Sequence, residues 1–150
     1  MEVGVVLSPT AAAEVRRLAA SAYPDEGCGV LIGTAGTGEV LAVRSVTSGR
    51  NLAPRGRDRF ELDPLAILRA ERAAREEGLE VLGFWHSHPD HPAVPSRLDT
   101  ERAWAEYLYV IVSSSAEATG EVRGWRLLPG AGGFAEVGMA VDGVAAEAGR

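Results

Sequence analysis

The segment from Val81 to Asp99 constrains the fold of this chain more than any other part of the sequence. It begins with an apolar run, Val81–Trp85, whose length and branched or aromatic residues predict a buried strand. His86 and His88 follow two residues apart, so in a strand both imidazoles point to one face. Three prolines then prevent regular pairing and turn the chain before Asp99, namely Pro89, Pro92 and Pro95. The sequence therefore predicts a strand that ends in two converging histidines, with a carboxylate on the returning chain.

Two histidines and one carboxylate are the ligand types of an open metal site. Catalytic zinc typically has three protein ligands and a fourth position for water, whereas four protein ligands close a structural site. His86, His88 and Asp99 fit the open type. A second interpretation covers part of the same segment, because Ser96 and Asp99 also have the spacing of a capping box at the start of a helix.

Three other zinc motifs fit this chain less well. The run His86–His91 satisfies H-x-H-x-D-H and resembles the metallo-β-lactamase signature, but that superfamily needs further histidines downstream. This chain has only three histidines, all within that run. A zinc nucleoside deaminase requires H-x-E and P-C-x-x-C, whereas Cys28 is the only cysteine here. The sequence also lacks the H-E-x-x-H pattern of zinc-binding helices.

The pattern that remains is H-x-H-P-x6-S-x-x-D, and the segment matches it at every position through His86, His88, Pro89, Ser96 and Asp99. This pattern resembles the signature of the JAMM (MPN+) family of zinc metalloproteases. An upstream stretch, Pro24–Gly29, is similar to the P-x-E-x-C-G element of small bacterial members and contains Glu26. The resemblance extends over about residues 1–137, in order and in spacing.

The resemblance implies a role for each motif residue. His86, His88 and Asp99 would bind one catalytic Zn²⁺, Glu26 would be the general acid/base, and Ser96 would stabilise the developing oxyanion. It also implies an α/β MPN (JAMM) fold, in which a curved mixed β-sheet packs with α-helices in a cytidine-deaminase-like architecture. Coarse patterning agrees with an α/β fold, because strand-like and helix-like segments are mixed along the chain.

Family resemblance further implies hydrolysis of a peptide or isopeptide bond after the C-terminal Gly-Gly of a ubiquitin-like or sulfur-carrier protein. We expect the extended tail of such a partner to lie along an exposed strand edge, where main-chain hydrogen bonds provide affinity. Two alternatives stay open at this point. One is a non-catalytic MPN scaffold that binds partner proteins, and the other is a zinc amidase or peptidase for a small metabolite.

Length and charge limit the remaining possibilities. The 150 residues predict a single domain, 1–150, with a flexible tail from about residue 139. We expect a cytoplasmic protein, because the sequence has one cysteine, no signal-peptide pattern at its start and no apolar run of membrane-spanning length. The net charge of −6 argues against nucleic acid or an anionic membrane as the main partner. The oligomeric state is not predicted.

Periodicity and turn residues predict the order of the elements. Helices are expected at about 8–22, 63–77 and 96–106, and strands at 3–7, 28–32, 39–47, 60–62, 81–88, 108–113, 121–128 and 134–137. Trp85, Trp104 and Trp125 are expected to be core residues.

Several polar residues have no assigned role. All fifteen basic residues are arginine, and four of them cluster in the Arg50–Arg59 loop, where contact with acidic groups of a substrate and plain solvation are both possible. His91 lies in the proline-rich turn and could contact substrate or nothing. Cys28, two residues after Glu26, is expected to be a buried thiol.

Overall fold

The fold places three helices around a sheet of seven strands within the described part of the chain. The structure is a computed structural model and describes residues 1–35, 40–54, 56, 60–130 and 133–142. The elements are β1 Val3–Leu7, α1 Pro9–Ala22, β2 Cys28–Ala35, β3 Leu41–Ser48, α2 Pro64–Glu76, β4 Glu80–Pro89, α3 Arg97–Arg102, β5 Leu108–Ser114, β6 Thr119–Leu127 and β7 Phe134–Val141.

Capping residues start the two long helices where the sequence predicts. Ser8 is the N-cap of α1, and its hydroxyl accepts a hydrogen bond from the amide of Ala11. Asp63 is the N-cap of α2 and accepts from the amide of Leu65. In both helices proline occupies the first helical position, where its missing N–H costs nothing.

The seven strands form a closed barrel in the order β1-β3-β2-β4-β5-β6-β7, with β7 pairing in parallel with β1. The mixed α/β class is confirmed, and the sheet is mixed because β4 pairs parallel to β5 but antiparallel to β2. Closure by β1 and β7 gives each described strand two neighbours, but β3 pairs with β1 only at Leu41–Val43, so the expected strand edge for the substrate tail stays a prediction.

Alternation along the strands divides the core between two faces of the sheet. Leu31 and Trp85 belong to the larger cluster, which packs against α1. Val30 and Phe84 belong to a second cluster, which packs against α2. His86 follows Phe84 at strand spacing and therefore lies on the α2 face of β4, at the end of the strand.

The structure differs from the expected elements at several ends. The Phe60–Leu62 strand is reduced to one isolated bridge between Asn51 and Leu62. Helix α3 ends at Arg102, because Ala103 is already extended and the amide of Trp104 donates to the hydroxyl of Tyr109. Strand β7 continues to Val141, into the region expected to be a tail, and residues 143–150 lie outside the described residues.

Trp85 and Trp125 are buried as expected, but Trp104 is 55% exposed. Its ring contacts Phe84 and Tyr107 at the surface instead of entering the core. The structure shows no helix among its described residues that is long and apolar enough to span a membrane.

Candidate metal centre

The register between β2 and β4 brings together residues that are sixty positions apart. His86 lies opposite Cys28 in this antiparallel pair. The same register continued by two residues places Glu26 opposite His88, and opposite residues of an antiparallel pair lie on the same face. Both histidines and Glu26 are buried, and a carboxylate oxygen of Glu26 lies within 4.8 Å of a ring nitrogen of each histidine. Strand pairing alone therefore assembles one side of the site.

Asp99 completes a compact triangle of donor atoms with the two histidines. The Nε2 atoms of His86 and His88 are 3.1 Å apart, and each is 3.2 Å from Oδ2 of Asp99. Ligand atoms at about 2.0 to 2.2 Å from a tetrahedral zinc lie about 3.3 to 3.6 Å from one another. The three donor atoms therefore need to move by only a few tenths of an ångström to hold such an ion.

Hydrogen bonding around the histidines also fits a cation. Nδ1 of His88 lies 2.9 Å from the carbonyl oxygen of Pro92, which can only accept, so Nδ1 carries the proton and donates it. When the ring is neutral, Nε2 of His88 therefore has a lone pair directed at Oδ2 of Asp99. When the ring is protonated, Nε2 donates a hydrogen bond to that oxygen. Such outer hydrogen bonds commonly fix the tautomer of metal-binding histidines. Nδ1 of His86 is buried and has no partner among the described residues.

The protonation states of His86, His88 and Asp99 depend on one another. Burial lowers the pKa of His86, against the opposing effect of its hydrogen bond to Asp99. Burial acts in the same direction on His88, but the hydrogen bonds to Asp99 and to the Pro92 carbonyl outweigh it and raise the pKa of His88. Burial alone would raise the pKa of Asp99, yet hydrogen bonds from both histidines hold it well below its usual range. Asp99 is thus a carboxylate at any working pH, which is the form that binds metal.

The Ser96–Asp99 segment forms the capping box and also brings Asp99 to the two histidines. The hydroxyl of Ser96 accepts a hydrogen bond from the amide of Asp99 at 3.1 Å, and Oδ2 of Asp99 accepts one from the amide of Ser96 at 2.8 Å. This reciprocal pair is a capping box that starts α3. The same oxygen, Oδ2, faces the two histidines, so the cap holds the carboxylate in the orientation that the triangle requires.

The backbone of Glu26 is fixed by a residue that the sequence did not single out. Nδ2 of Asn51 donates to the carbonyl of Glu26 at 3.1 Å, while Oδ1 of Asn51 accepts from the amides of Ala53 and Glu61. Asn51 thereby joins the chain before β2 to the loop that follows β3. An asparagine in a Ser-Gly-Arg-Asn turn is a common loop residue, so the sequence carried no specific signal for this contact.

Cys28 shares the face of His86 and is buried. Burial raises its pKa to about 12, and the charge of Glu26 adds to the rise. Its sulfur lies 3.9 Å from the carbonyl oxygen of Gly49. The expectation of a buried thiol is therefore confirmed.

A pocket of about 60 Å³ opens onto the triangle and can hold several water molecules. Glu26, His86, Ser96 and Asp99 all line it. Phe60 forms one wall and stacks on the His86 ring with centroids 4.4 Å apart. Four of the five expected site residues therefore border one space, and the fifth, His88, adjoins it through His86 and Asp99.

Two expected features lie away from this pocket or outside the described residues. His91 is exposed and borders a separate hollow beside Ser114. Arg50 is exposed, whereas Arg55, Arg57 and Arg59 of the Arg50–Arg59 loop lie outside the described residues. The roles of His91 and of this loop stay open.

Comparison with known families supports the interpretation of this geometry. Residues 8–128 match the family described as prokaryotic homologues of the JAB domain. The chain belongs to this family. The predicted resemblance to small prokaryotic JAMM proteins is thereby confirmed, and a metal site is supported both by the family and by the cluster of Glu26, His86 and His88.

Named relatives fall into three groups. A desampylase from Haloferax volcanii is 39% identical over 105 residues, covering 69% of this chain and 73% of the relative. A probable TtuB-protein conjugate cleaving protease from Thermus thermophilus is 36% identical over 59% of this chain and 55% of its own length. A CysO-cysteine peptidase from Mycobacterium tuberculosis is 32% identical over 73% of each chain.

A solved structure supports the fold over most of its length. Protein DSY2949 from Desulfitobacterium hafniense superposes with a TM-score of 0.80 at 28% identity, covering 92% of each chain. The described arrangement of strands and helices is therefore shared with an experimentally determined relative.

Proposed function

We propose that this protein is a zinc-dependent metalloprotease that hydrolyses a peptide or isopeptide bond after the C-terminal Gly-Gly of a ubiquitin-like or sulfur-carrier protein. The observation that carries the proposal is the donor triangle of His86, His88 and Asp99, with the carboxylate of Glu26 beside it, in a chain of the JAB family. Two imidazoles and one carboxylate around a small solvent-filled pocket are the donor set of a catalytic zinc site.

We assign the third ligand to Asp99 and the proton-transfer role to Glu26. Oδ2 of Asp99 lies 3.2 Å from Nε2 of each histidine, close to the distance between two ligands of a tetrahedral zinc, and a carboxylate oxygen of Glu26 lies within 4.8 Å of both rings. The resemblance to the JAMM signature divides the two roles between these carboxylates. When bound, zinc supplies a Lewis acid that lowers the pKa of a coordinated water to about 7. Glu26 lines the same pocket, where a carboxylate can accept and return a proton.

The chain's own residues then divide the reaction between them. Glu26 accepts the proton of the attacking water and delivers it to the leaving amine. The Ser96 hydroxyl uses a lone pair for the cap and keeps its proton for donation to the oxygen that becomes negative. Phe60 shields the buried His86 ring from water and forms a wall against which a narrow substrate can lie.

The proposed substrate class follows from the pocket and from the relatives' names. The pocket beside the donor triangle is small, and glycine has the least bulk at the scissile bond. One relative is named a probable TtuB-protein conjugate cleaving protease and another a CysO-cysteine peptidase. We therefore include both isopeptide and linear peptide bonds, and a partner protein that ends in Gly-Gly.

Two substrates test this proposal directly. A small β-grasp carrier ending in Gly-Gly can be fused to a short peptide, or joined to a lysine side chain of a second protein. Wild-type enzyme carrying one zinc should release the carrier with its Gly-Gly end, as read by mass spectrometry. Glu26→Gln is the matched control and should release the carrier only at a small residual rate. Intact substrates after incubation with zinc-loaded wild type would refute the proposal, and a wild type that refuses zinc would instead favour the scaffold interpretation.

Three finer statements remain proposals. The full MPN description with cytidine-deaminase-like architecture rests on the family and on the mixed sheet. Residence in the cytoplasm rests on the single cysteine, because secreted small domains commonly use disulfides. The division into one domain, 1–150, rests on the continuous barrel of the described residues.

A further inference from the structure

Ser87 lies between the two histidines of the donor triangle but takes no part in it. Alternation along β4 points its side chain away from the imidazoles, and it is 0% exposed. A buried hydroxyl needs a hydrogen-bond partner, since one left unpaired is costly. The partner of Ser87 is the segment that carries Glu26.

The contact is a departure from regular strand pairing. The β2–β4 register places Gly27 opposite Ser87, and the amide of Ser87 donates to the carbonyl of Gly27 at 3.0 Å. In a regular pair of this kind the amide of Gly27 would donate back to the carbonyl of Ser87. Instead it donates to the hydroxyl Oγ of Ser87 at 2.7 Å. A side chain thus replaces the backbone as acceptor at the point where β2 begins.

We propose that Ser87 is a positioning residue for Glu26, an inference that rests on the proposed function of Glu26 as the proton-transfer group. Gly27 has the widest backbone freedom of any residue type, so a hydrogen bond is what fixes its orientation. Glu26 directly precedes Gly27, and on its other side its amide donates to the carbonyl of Gly56 while its carbonyl accepts from Nδ2 of Asn51. The Ser87 hydroxyl therefore sets the direction in which the carboxylate of Glu26 enters the pocket.

Packing around Gly27 excludes a simpler way of fixing it. A Cβ at this position would lie 3.0 Å from Cβ of Ala22 and 3.1 Å from the ring of Trp85. A residue with a side chain would therefore push against α1 and the core. Glycine fits this narrow space, and the hydrogen bond from its amide to the Ser87 hydroxyl restricts its backbone conformation.

A second contact ties the same two segments together at the surface. The hydroxyl of Tyr23 donates to the carboxylate of Asp90, with oxygen–oxygen distances of 2.9 and 3.1 Å. Tyr23 precedes Glu26 by three residues, and Asp90 follows His88 by two. This contact is further from Glu26 than the Ser87 contact, so Tyr23→Phe is expected to have the smaller effect on catalysis.

The test compares Ser87→Ala with Ser114→Ala in the zinc-loaded enzyme. Ser114 is a matched control, because it is a buried serine on the adjacent strand β5 whose hydroxyl has no partner among the described residues. Ser87→Ala should lower kcat about 10- to 100-fold, since a displacement of about 1 Å can cost this much. KM should stay within about two-fold and zinc should stay at one per chain. Ser87→Thr keeps the hydroxyl and should recover most of the activity.

A double-mutant cycle separates positioning from general stabilisation. In the Glu26→Gln background, Ser87→Ala should cause no further loss of the residual activity, because the group that it positions is already absent. Ser87→Cys, which preserves volume but offers only a weak acceptor, provides a second variant if the alanine protein does not fold. An NMR measurement that needs no substrate should show faster hydrogen exchange at the Gly27 amide in Ser87→Ala and no change in Ser114→Ala.

Three results would overturn the role of Ser87. These are an unchanged kcat in a folded Ser87 variant, an equal fold-loss with and without Glu26, and unchanged exchange at Gly27. Failure of wild-type enzyme to cleave either carrier substrate would refute the proposed function instead, so the two failures are distinguishable.

Discussion

Replacement of Ser96 by alanine and by glycine gives the sharpest test of the proposed chemistry. The hydroxyl of Ser96 has two assigned tasks, since it caps α3 through the amide of Asp99 and donates to the oxygen that becomes negative during hydrolysis. The two tasks predict different rankings of the same substitutions. The capping role depends on how well the residue at position 96 stabilises the start of α3. The oxyanion role depends only on the presence of the hydroxyl proton.

The magnitudes differ enough to be separated. Loss of a serine N-cap costs about 1 kcal/mol on replacement by alanine, but only a few tenths on replacement by glycine. Loss of an oxyanion donor costs about 2.7 to 4 kcal/mol, or about 100- to 1000-fold in kcat. Ser96→Ala and Ser96→Gly should therefore lose activity about equally, while only the alanine variant shows the full loss of stability. Ser96→Thr keeps the hydroxyl and should retain most of both.

Three measurements on each variant decide between the tasks. Urea unfolding gives the change in stability, a chelator competition gives the zinc affinity, and initial rates on the carrier-peptide fusion give kcat and KM. The zinc affinity is needed because Oδ2 of Asp99 is oriented by the same capping box. A glycine variant with nearly wild-type kcat, or activities that follow stability across the series, would refute the assignment of Ser96 as an oxyanion donor.

Other substitutions probe the ligands, the thiol and the strand packing. Asp99→Asn should weaken zinc binding at least about tenfold in a chelator competition. Glu26→Gln should keep zinc and lose cleavage. If Asp99→Asn kept zinc and Glu26→Gln lost it, the two assigned roles would be reversed. Cys28, with its pKa raised to about 12, should resist alkylation at pH 8 in the folded protein and react after unfolding, as read by mass spectrometry; rapid reaction of the folded protein would contradict its burial. Gly29→Ala should lower stability by several kcal/mol in urea unfolding, because the new Cβ would lie 1.8 Å from the carbonyl oxygen of Thr47; a change below about 1 kcal/mol would contradict this packing.

The parts of the site that depend on local pattern could be predicted from the sequence. The two-residue spacing of His86 and His88 on an apolar strand, followed by a proline-rich turn, leads directly to two imidazoles on one face. The capping box at Ser96 is equally local, and the structure contains it. N-cap residues likewise predicted the starts of α1 and α2.

The parts that depend on long-range pairing could not be derived in the same way. Glu26 is sixty residues from His86, and only the antiparallel register of β2 and β4 brings them together. The sequence pointed to Glu26 through family resemblance, since a single glutamate before a short strand has no periodic signal. Closure of the barrel by β1 and β7 is also a long-range event, which no local pattern predicts.

Aromatic residues show a further limit of sequence patterns. Trp104 was expected in the core on the basis of residue type, yet α3 ends two residues before it and leaves its ring on the surface beside Phe84 and Tyr107. Phe60 was expected in a strand, yet it stacks on His86 and lines the pocket. The hydrogen bond from the Trp104 amide to the Tyr109 hydroxyl accompanies this helix end, and the sequence pattern did not predict it.

The central claim is that His86, His88 and Asp99 hold one zinc ion on which cleavage depends. The most direct measurement is a titration of metal-free protein with zinc while the release of a Gly-Gly-ended carrier is followed. We predict that activity rises linearly and reaches its plateau at one zinc per chain, and that Asp99→Asn requires far more zinc. Cleavage at full rate without zinc, or one bound zinc with both substrates intact, would contradict the account.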